Sequence, residues 1–116
     1  MIAPEHLSRI AVWSKELTDE EADRACRGIT ERTLSTGTYL FHRGDRFEAW
    51  TGIVSGIVKM STVTSGGKAV SYTGVTSGGW FGEGSIIKDE PRQYDIVAMR
   101  KTRVACMSGQ TFRWLF

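Results

Sequence analysis

The sequence predicts a mainly β fold, and three observations support this prediction. From Thr30 onward the spacing of apolar residues changes from a helical period of about 3.6 to a period of about 2. The same region is rich in β-branched and aromatic residues, which favour strands. Turn residues interrupt it at short intervals, at Gly37, Gly44-Asp45, Gly56, Gly66-Gly67 and Gly78-Gly79. Six or more short strands with turns spaced in this way indicate a β-sandwich, a barrel or a jelly roll.

The candidate strands are the runs that lie between these turns. They read RTLS, TYLFHR, AWTGIVSGIVKMSTV, AVSYTGV, DIVAM and TRVACM. The segment VTSGGKAV predicts the sharpest hairpin, because Gly66 and Gly67 can adopt the positive φ angles that a tight turn requires. We therefore expect the two runs on either side of it to be neighbours in a sheet.

A short amphipathic helix is predicted before the first strand. Thr18 and Glu21 have the spacing of a capping box, which satisfies two free amide groups at a helix N-terminus. Acidic residues come early in this segment and arginines come late, as the helix dipole favours, and the helix ends near Gly28. Upstream, a second short helix would place four residues on one face: Leu7, Ile10, Ala11 and Ser14.

Helical spacing returns at the C-terminal end of the sequence. Phe112, Leu115 and Phe116 are spaced as on one helix face, and we expect this helix to continue beyond the last residue. The chain is accordingly divided into an N-terminal extension, residues 1–16, and one domain, residues 17–116.

Composition limits the function classes. The chain has 116 residues, 41% of them hydrophobic and 24% charged, which is typical of one globular domain. The net charge is +2 without a basic stripe, so the sequence does not indicate DNA binding by these residues. No apolar run approaches the length of a membrane span, and we expect a cytoplasmic location without a membrane partner. Cys26 and Cys106 lie in no metal or redox motif and are predicted to be buried thiols.

The segment GGWFGEGSIIKDEPRQYD, residues 78–95, contains the candidate binding site. Gly82 and Gly84 flank Glu83, and the following GSIIK has the length of one helical turn. Free amides at the start of such a turn can bind an anion such as phosphate. The planar guanidinium of Arg92 can fold back and grip two phosphate oxygens, while Glu83 can accept a hydrogen bond from a sugar hydroxyl. A phosphate joined to a ribose fits this pattern.

Each of these residues also has a purely structural interpretation. The glycines can be ordinary turn residues, Arg92 can be a surface residue, and Glu83 can bond to amides of its own turn. Trp50 and Trp80 are predicted to fill the core or an interface. The histidines, His6 and His42, lie apart in the sequence and are not expected to bind a ligand.

The order of motifs resembles a known family. The helix ELTDEEADRACRGI is followed by GTYLFHRGD, GIVSGIVKM, GGKAV, FGEGS and PRQYDIVA. In this order the segments resemble the cyclic nucleotide-binding domain of the catabolite-activator and fumarate-nitrate-regulator (CRP/FNR) family of bacterial transcription regulators. The resemblance covers about Leu17 to Phe116 and implies a jelly roll, or double-stranded β-helix, with short flanking helices.

The resemblance also implies roles for individual residues. Residues 81–93 match the family's phosphate-binding cassette, in which Gly82 would supply backbone amides, Glu83 would bind the ribose 2′-hydroxyl and Arg92 would pair with the phosphate. Gln93 departs from the Ser or Thr of many nucleotide binders, and Gly84 replaces a larger residue. Both departures weigh against cyclic AMP itself as the effector.

The candidate base pocket is inferred only from the positions of three residues on the predicted strands. Met60 lies on the strand before the hairpin, with Thr73 or Val75 opposite it on the returning strand. These three side chains are expected either to line a base pocket or to pack inside the barrel.

The resemblance implies a ligand-sensing regulatory domain with no cofactor, whose effector is cyclic AMP or another cyclic nucleotide. A dimerisation helix and a DNA-binding helix-turn-helix would follow Phe116, and the full-length protein would be a homodimer that contacts DNA only through that missing part. The alternative is an effector-free scaffold with the same fold. We do not expect catalysis, because a metal enzyme of the cupin type needs several histidines from adjacent strands, and only His42 lies in the strand region.

Overall fold

The computed structural model describes residues 2–63, 66–67 and 70–116. The strands are β1 (Ile29–Leu34), β2 (Tyr39–Phe41), β3 (Ala49–Ser55), β4 (Ile57–Val63), β5 (Val70–Thr76), β6 (Trp80–Phe81), β7 (Tyr94–Ala98) and β8 (Thr102–Ser108). They form two antiparallel four-stranded sheets, with strand orders β1-β8-β3-β6 and β2-β7-β4-β5. The prediction of a mainly β jelly roll with short flanking helices is confirmed.

The helices lie at the two ends of the chain and between β6 and β7. They are α1 (Pro4–Ile10), a 3-10 helix (Val12–Glu16), α2 (Asp19–Arg27), α3 (Glu83–Lys88) and α4 (Gly109–Leu115). The capping box at the start of α2 is present as predicted: the Thr18 hydroxyl accepts from the Glu21 amide, and the Glu21 carboxylate accepts from the Thr18 amide. Ser108 caps α4 in a similar way by accepting from the Thr111 amide.

The run AWTGIVSGIVKMSTV is divided at Gly56 into two strands of different sheets. Gly56 has a φ of +97°, a left-handed conformation that favours glycine. The chain therefore crosses from the sheet of β3 to the sheet of β4 within one residue. The crossing thus connects an interior strand of one sheet to an interior strand of the other.

The predicted hairpin joins β4 and β5, which pair from Ile57–Thr76 to Val63–Val70. Gly66 and Gly67 have the expected positive φ angles of +86° and +67°. The remaining residues of this turn, numbers 64, 65, 68 and 69, lie outside the described residues.

Two apolar clusters hold the domain together, and β8 contributes to both. Along β8, Val104 and Cys106 face the cluster between the two sheets, whereas Ala105 and Met107 face the cluster beneath the helices. This alternation follows from the two-residue period of a strand. Because both faces of β8 are covered, this strand anchors the helices to the barrel.

The N-terminal residues belong to the helix-side cluster. Leu7, Ile10, Ala11 and Ser14 are all buried. They do not share one helix as predicted, because α1 ends at Ile10, Ala11 is extended and Ser14 lies in the 3-10 helix. Leu7 and Ile10 lie in one cluster with Phe112 of α4. Residues 1–16 remain an extension in our division of the sequence, and the described part of that extension packs onto the domain.

Both cysteines are buried and unpaired, in agreement with the prediction. Burial raises the pKa of the Cys26 and Cys106 thiols. Trp50 is buried and Trp80 packs against the same cluster, so the prediction that both fill the core is also confirmed. Within the described residues, no helix has the length and apolar character that a membrane span requires.

The turn at Gly56 gives a stability prediction. An alanine Cβ there would lie 2.7 Å from the carbonyl oxygen of Lys101, in addition to the strain of a positive φ. At Gly37, φ is +82° but the space is open. Gly37→Ala should therefore lower the free energy of unfolding by about 1–2 kcal/mol, the cost of the left-handed conformation alone, and Gly56→Ala should lower it further. Urea denaturation of both variants measures the difference, and equal losses would contradict a steric role for Gly56.

Candidate functional site

The predicted site segment forms a compact loop between β6 and β7. Gly82, with a φ of +101°, turns the chain into α3. This helix ends at Asp89, which is also left-handed with a φ of 51°. The amide of Glu90 then donates to the Ser85 carbonyl, and the chain returns through Pro91 to Arg92. We refer to residues 80–94 as the cassette.

Arg92 is the buried residue of the cassette, and it is only 1% exposed. Its Nη1 donates to the carbonyl of Gly82 at 3.0 Å, and its Nη2 donates to the carbonyl of Ala49 at 2.7 Å. Hydrogen bonds from a charged donor each contribute about 1.5–3 kcal/mol. Arg92 therefore ties the turn at Gly82 to the neighbouring strand β3.

Aromatic rings surround the same guanidinium. Its central carbon lies 4.5 Å from the ring centre of Phe41 and 5.3 Å from that of Phe47, within the range of cation–π attraction. Its Nε is buried, and no described residue accepts a hydrogen bond from it. Burial lowers the pKa of Arg92, and the nearby Tyr94 and Glu83 partly oppose this effect.

Gly82 is required by the position of this arginine. A Cβ at residue 82 would overlap Nη1 of Arg92 and would lie 3.0 Å from the Ala49 carbonyl oxygen. The positive φ of Gly82 is also unfavourable for any other residue. Residue 82 must therefore be glycine for the Arg92 guanidinium to occupy this position.

A pocket of about 330 Å³ lies along the cassette. Its volume is at the lower end of the range for small-molecule sites. The pocket is lined by Met60, Trp80, Phe81, Gly82, Glu83, Gly84, Ser85, Glu90, Gln93 and Tyr94. Burial raises the pKa of Tyr94 on this wall, partly opposed by Arg92.

The structure brings most of the predicted site residues to this pocket. Gly82, Glu83, Gly84 and Gln93 line it, and so does Met60 from β4. The side-chain amide of Gln93 donates to the carbonyl of Pro91 at 3.0 Å, within its own loop.

Three predicted residues do not line the pocket. Arg92 is buried and is not among the lining residues. Thr73 is exposed on β5, where it pairs with Met60 in register. Val75 packs against the cluster between the sheets. The sequence left two interpretations open for these positions, a base pocket or packing inside the barrel. Val75 packs inside, whereas the exposed Thr73 does neither.

Sequence reasoning missed several residues of the wall: Trp80, Phe81, Ser85, Glu90 and Tyr94. Trp80 and Phe81 directly precede Gly82, and Tyr94 directly follows Gln93, so proximity to the cassette is the signal that could have found them. Ser85 and Glu90 lie inside the same segment, so the same signal applies to them. The chain reaches Glu90 directly after the left-handed turn at Asp89, where α3 ends.

A second, more apolar groove of about 460 Å³ lies beside the pocket. It is lined by Trp13, Trp50, Trp80, Glu83, Ile87, Phe112 and Phe116. The Trp80 indole N–H donates to the Ile10 carbonyl at 2.8 Å, which fastens β6 to the end of α1. Trp80 and Glu83 belong to both concavities, so they form the wall between them.

Neither histidine lines the pocket. Nδ1 of His6 lies 3.5 Å from a carboxylate oxygen of Glu31, and His42 stacks on Tyr39 with ring centres 4.3 Å apart. Among the described residues, no group of three or more His, Cys, Asp or Glu side chains could hold a metal ion.

Comparison with known proteins decides the family. Residues 31–116 match the family profile described as "Cyclic nucleotide-binding domain". The chain belongs to this family. The match begins within β1 and includes all the other strands and the cassette, and the family resemblance read from the sequence is confirmed.

Individual relatives agree with this membership. The chain is 28% identical over 102 residues to a cAMP-dependent protein kinase regulatory subunit from Dictyostelium discoideum, a match that covers 88% of this chain and 31% of the relative. The Thermus thermophilus catabolite activator protein superposes with a TM-score of 0.75 and 26% identity, over 86% of this chain and 47% of that one. This domain therefore spans about a third to a half of these relatives.

A third comparison concerns the fold alone. The regulatory domain of Toxoplasma gondii PKA, crystallised with cAMP, superposes with a TM-score of 0.86 at 18% identity. The match covers 97% of this chain and 43% of that one. Helices and strands thus share one arrangement although most side chains differ.

Removing Arg92 should destabilise the cyclic nucleotide-binding domain. Arg92→Ala eliminates both hydrogen bonds and leaves two carbonyls without this donor, so we expect the free energy of unfolding to fall by about 2–4 kcal/mol. Arg92→Lys should recover only part of the loss, because one ammonium cannot bridge both carbonyls in the same plane.

The matched control is Arg100→Ala, an exposed arginine that should change stability by less than about 0.5 kcal/mol. Urea denaturation measures all three variants. A loss at Arg92 no larger than that at Arg100 would show that the two main-chain contacts do not hold the cassette.

Proposed function

We propose that this chain is a ligand-sensing regulatory domain that binds a cyclic nucleotide or a similar small effector in the cassette pocket. The observation that carries the proposal is the pocket itself, in which Gly82, Glu83, Gly84 and Gln93 of the cassette meet Met60 of β4. Family membership supports the ligand class. The proposal assigns no catalytic step to the domain.

Within this pocket, Glu83 is the proposed partner of sugar hydroxyls. It is exposed at the first position of α3 and lines the pocket. An ionised carboxylate only accepts hydrogen bonds, so it suits a ligand that presents hydroxyl donors. Arg92 would act indirectly, by fixing the turn that presents Glu83.

The proposed output is a population shift. A ligand that contacts the cassette would favour one placement of α3. In α3, Ile86 is buried in the helix-side cluster. Ile87 is 70% exposed and lines the second, more apolar groove together with Phe112 and Phe116. A small rotation of α3 would therefore move Ile87 relative to Phe112 and Phe116 and change the surface beside α4.

We further propose a transcription regulator of the CRP/FNR type as the whole protein. The similarity to the Thermus thermophilus catabolite activator protein supports this context. In that case DNA binding would reside in a C-terminal part, and the full-length protein would act as a homodimer. The similarity to a kinase regulatory subunit favours a different output with the same sensing step.

One observation favours the effector-free scaffold as a second candidate. The two Nη atoms of Arg92 already donate to main-chain carbonyls, and the residue is buried. In a scaffold, the guanidinium would serve stability alone and no ligand would bind. A binding measurement separates the two candidates.

The test is isothermal titration of the purified chain with cyclic AMP, cyclic GMP, adenosine and guanosine. We expect saturable binding of at least one of them, with one site per chain. Glu83→Ala should weaken that binding about tenfold or more, because a hydrogen bond to a charged group is lost. Glu16→Ala removes an exposed acid of the 3-10 helix and should leave the affinity unchanged.

Thermal unfolding with and without ligand gives an independent readout, since a bound ligand stabilises the folded state. Absence of both heat and thermal shift for all four compounds at millimolar concentration would overturn the sensor and leave the scaffold.

A further inference from the structure

Four strands lie at the edges of the two sheets, β1 and β6 in one sheet and β2 and β5 in the other. An edge strand presents unpaired N–H and carbonyl groups to which another strand can add, and proteins protect such edges with charges, short lengths or bulges. β1 carries the charged Glu31 and Arg32, and β6 has only two residues. β2 has three residues and a register shift between Tyr39 and Phe41. These three edges are therefore protected.

Strand β5 has none of these protections along its described length. It comprises seven residues, Val70–Thr76, without a charged residue or a proline, and it pairs with β4 in an unbroken register. Val70 and Tyr72 lie two residues apart, so they share one face of the sheet, and both are exposed, Tyr72 by 63%. Val63, which pairs with Val70, is exposed as well. A long, uncharged edge flanked by apolar side chains favours contact with another strand.

The hydrogen bonds of Ile57 on β4 show which main-chain groups of β5 point outward. The Ile57 amide donates to the Thr102 hydroxyl, and its carbonyl accepts from the amide of Met99, which directly follows β7. Ile57 therefore uses its main chain on the side away from β5, and its register partner Thr76 forms no ladder hydrogen bond with it. Such pairs alternate with hydrogen-bonded pairs along an antiparallel ladder. The outward groups of β5 accordingly belong to alternate residues: Val70, Tyr72, Gly74 and Thr76.

A second copy of this chain is the partner to which β5 is complementary. When two copies pair antiparallel about a two-fold axis at Thr73, all seven residues of β5 are matched. Tyr72 then lies opposite Gly74 of the second copy, and Val70 lies opposite Thr76. Each pair joins two residues whose main-chain groups point outward, as hydrogen bonding between the strands requires.

Side chains also agree with this pairing. Gly74 is on the same face as Tyr72, and a Cβ at Gly74 would have the Cδ1 of Ile57, 3.4 Å away, as its only close neighbour. The space above Gly74 can therefore accept the Tyr72 ring of the second copy, a cross-strand contact known to support glycines in sheets.

Charges near the edge do not oppose the contact. Lys59 of β4 has its Nζ 4.8 Å from the ring centre of Tyr72, within the range of cation–π attraction. Three strand spacings, about 14 Å, would separate Lys59 from Lys59 of the second copy. Salt screens exposed charges over about 8–10 Å, so this repulsion is weak.

We infer that β5 is a self-association surface, through which two copies of this chain join their four-stranded sheets into one continuous antiparallel sheet. The inference does not depend on the proposed ligand, and it adds a contact surface outside the cassette. Because one strand edge is a small interface, the association should be weak and should depend on concentration.

The experiment is sedimentation equilibrium of the purified chain without ligand, from about 10 μM to about 1 mM, the range suited to a small interface. We expect a reversible equilibrium between monomer and dimer. Hydrogen exchange followed by NMR identifies the surface: the amides of Tyr72 and Gly74 should exchange at least about threefold more slowly at the highest concentration than at the lowest. The amides of Ser71 and Thr73 point toward β4, so their exchange should change less.

Two variants test the edge directly. Tyr72→Glu places like charges on either side of the two-fold axis, and Gly74→Pro removes an outward N–H that the pairing requires. Each should raise the dissociation constant of the dimer at least about tenfold. Tyr39→Glu is the matched control, since Tyr39 is an exposed tyrosine on β2, the opposite edge of the same sheet, and it should leave the constant unchanged.

Urea denaturation verifies that the variants fold, and Tyr72→Glu is decisive if proline unfolds the strand. A chain that stays monomeric throughout the concentration range overturns the inference. So does a dimer that Tyr72→Glu leaves intact, because its contact then lies on another surface. Larger oligomers also contradict it, since pairing about a two-fold axis occupies both β5 edges. Failure of ligand titration, by contrast, would affect the proposed function alone.

Discussion

The buried guanidinium of Arg92 is the contact on which the site depends. Two of its nitrogens bridge the Gly82 and Ala49 carbonyls, and so they join the turn at Gly82 to β3. Burying a charge is costly unless its donors are hydrogen-bonded; here both Nη atoms donate to carbonyls and the ring of Phe41 lies within cation–π range, whereas Nε has no acceptor among the described residues. The turn at Gly82 follows from this placement, because no larger residue fits above the guanidinium.

The sheets supply a rigid frame on which this contact is built. β6 adds only two residues to the edge of β3, at Thr51–Phe81 and Gly52–Trp80, and then releases the chain into α3. β7 receives it again and pairs with β4 in the centre of the other sheet. The pocket lies between these two attachment points. The order of the strands therefore determines where the pocket lies, whereas the short segment between β6 and β7 determines its polarity.

Local patterns were sufficient to predict most of the fold. The capping box at Thr18, the glycine turn at Gly56 and the helical spacing around Phe112 each depend on a few neighbouring residues, and the structure has all three. The direction of the Arg92 side chain could not be predicted in this way. It depends on the carbonyl of Ala49, which is distant in sequence and has no side-chain signature. Glu90 was missed although it lies inside the cassette, since the left-handed turn that precedes it is at Asp89 and has no glycine to mark it.

Trp80 gives the domain an optical property of its own. Its ring is one wall of the pocket and, on the other side, contacts Trp13 and Trp50, with ring centres 5.3 and 4.7 Å away. Three indoles in van der Waals contact exchange excitation energy, and their emission responds to any displacement of the outermost ring. Occupancy of the pocket should thus be readable from intrinsic fluorescence, without a label and without altering a single residue.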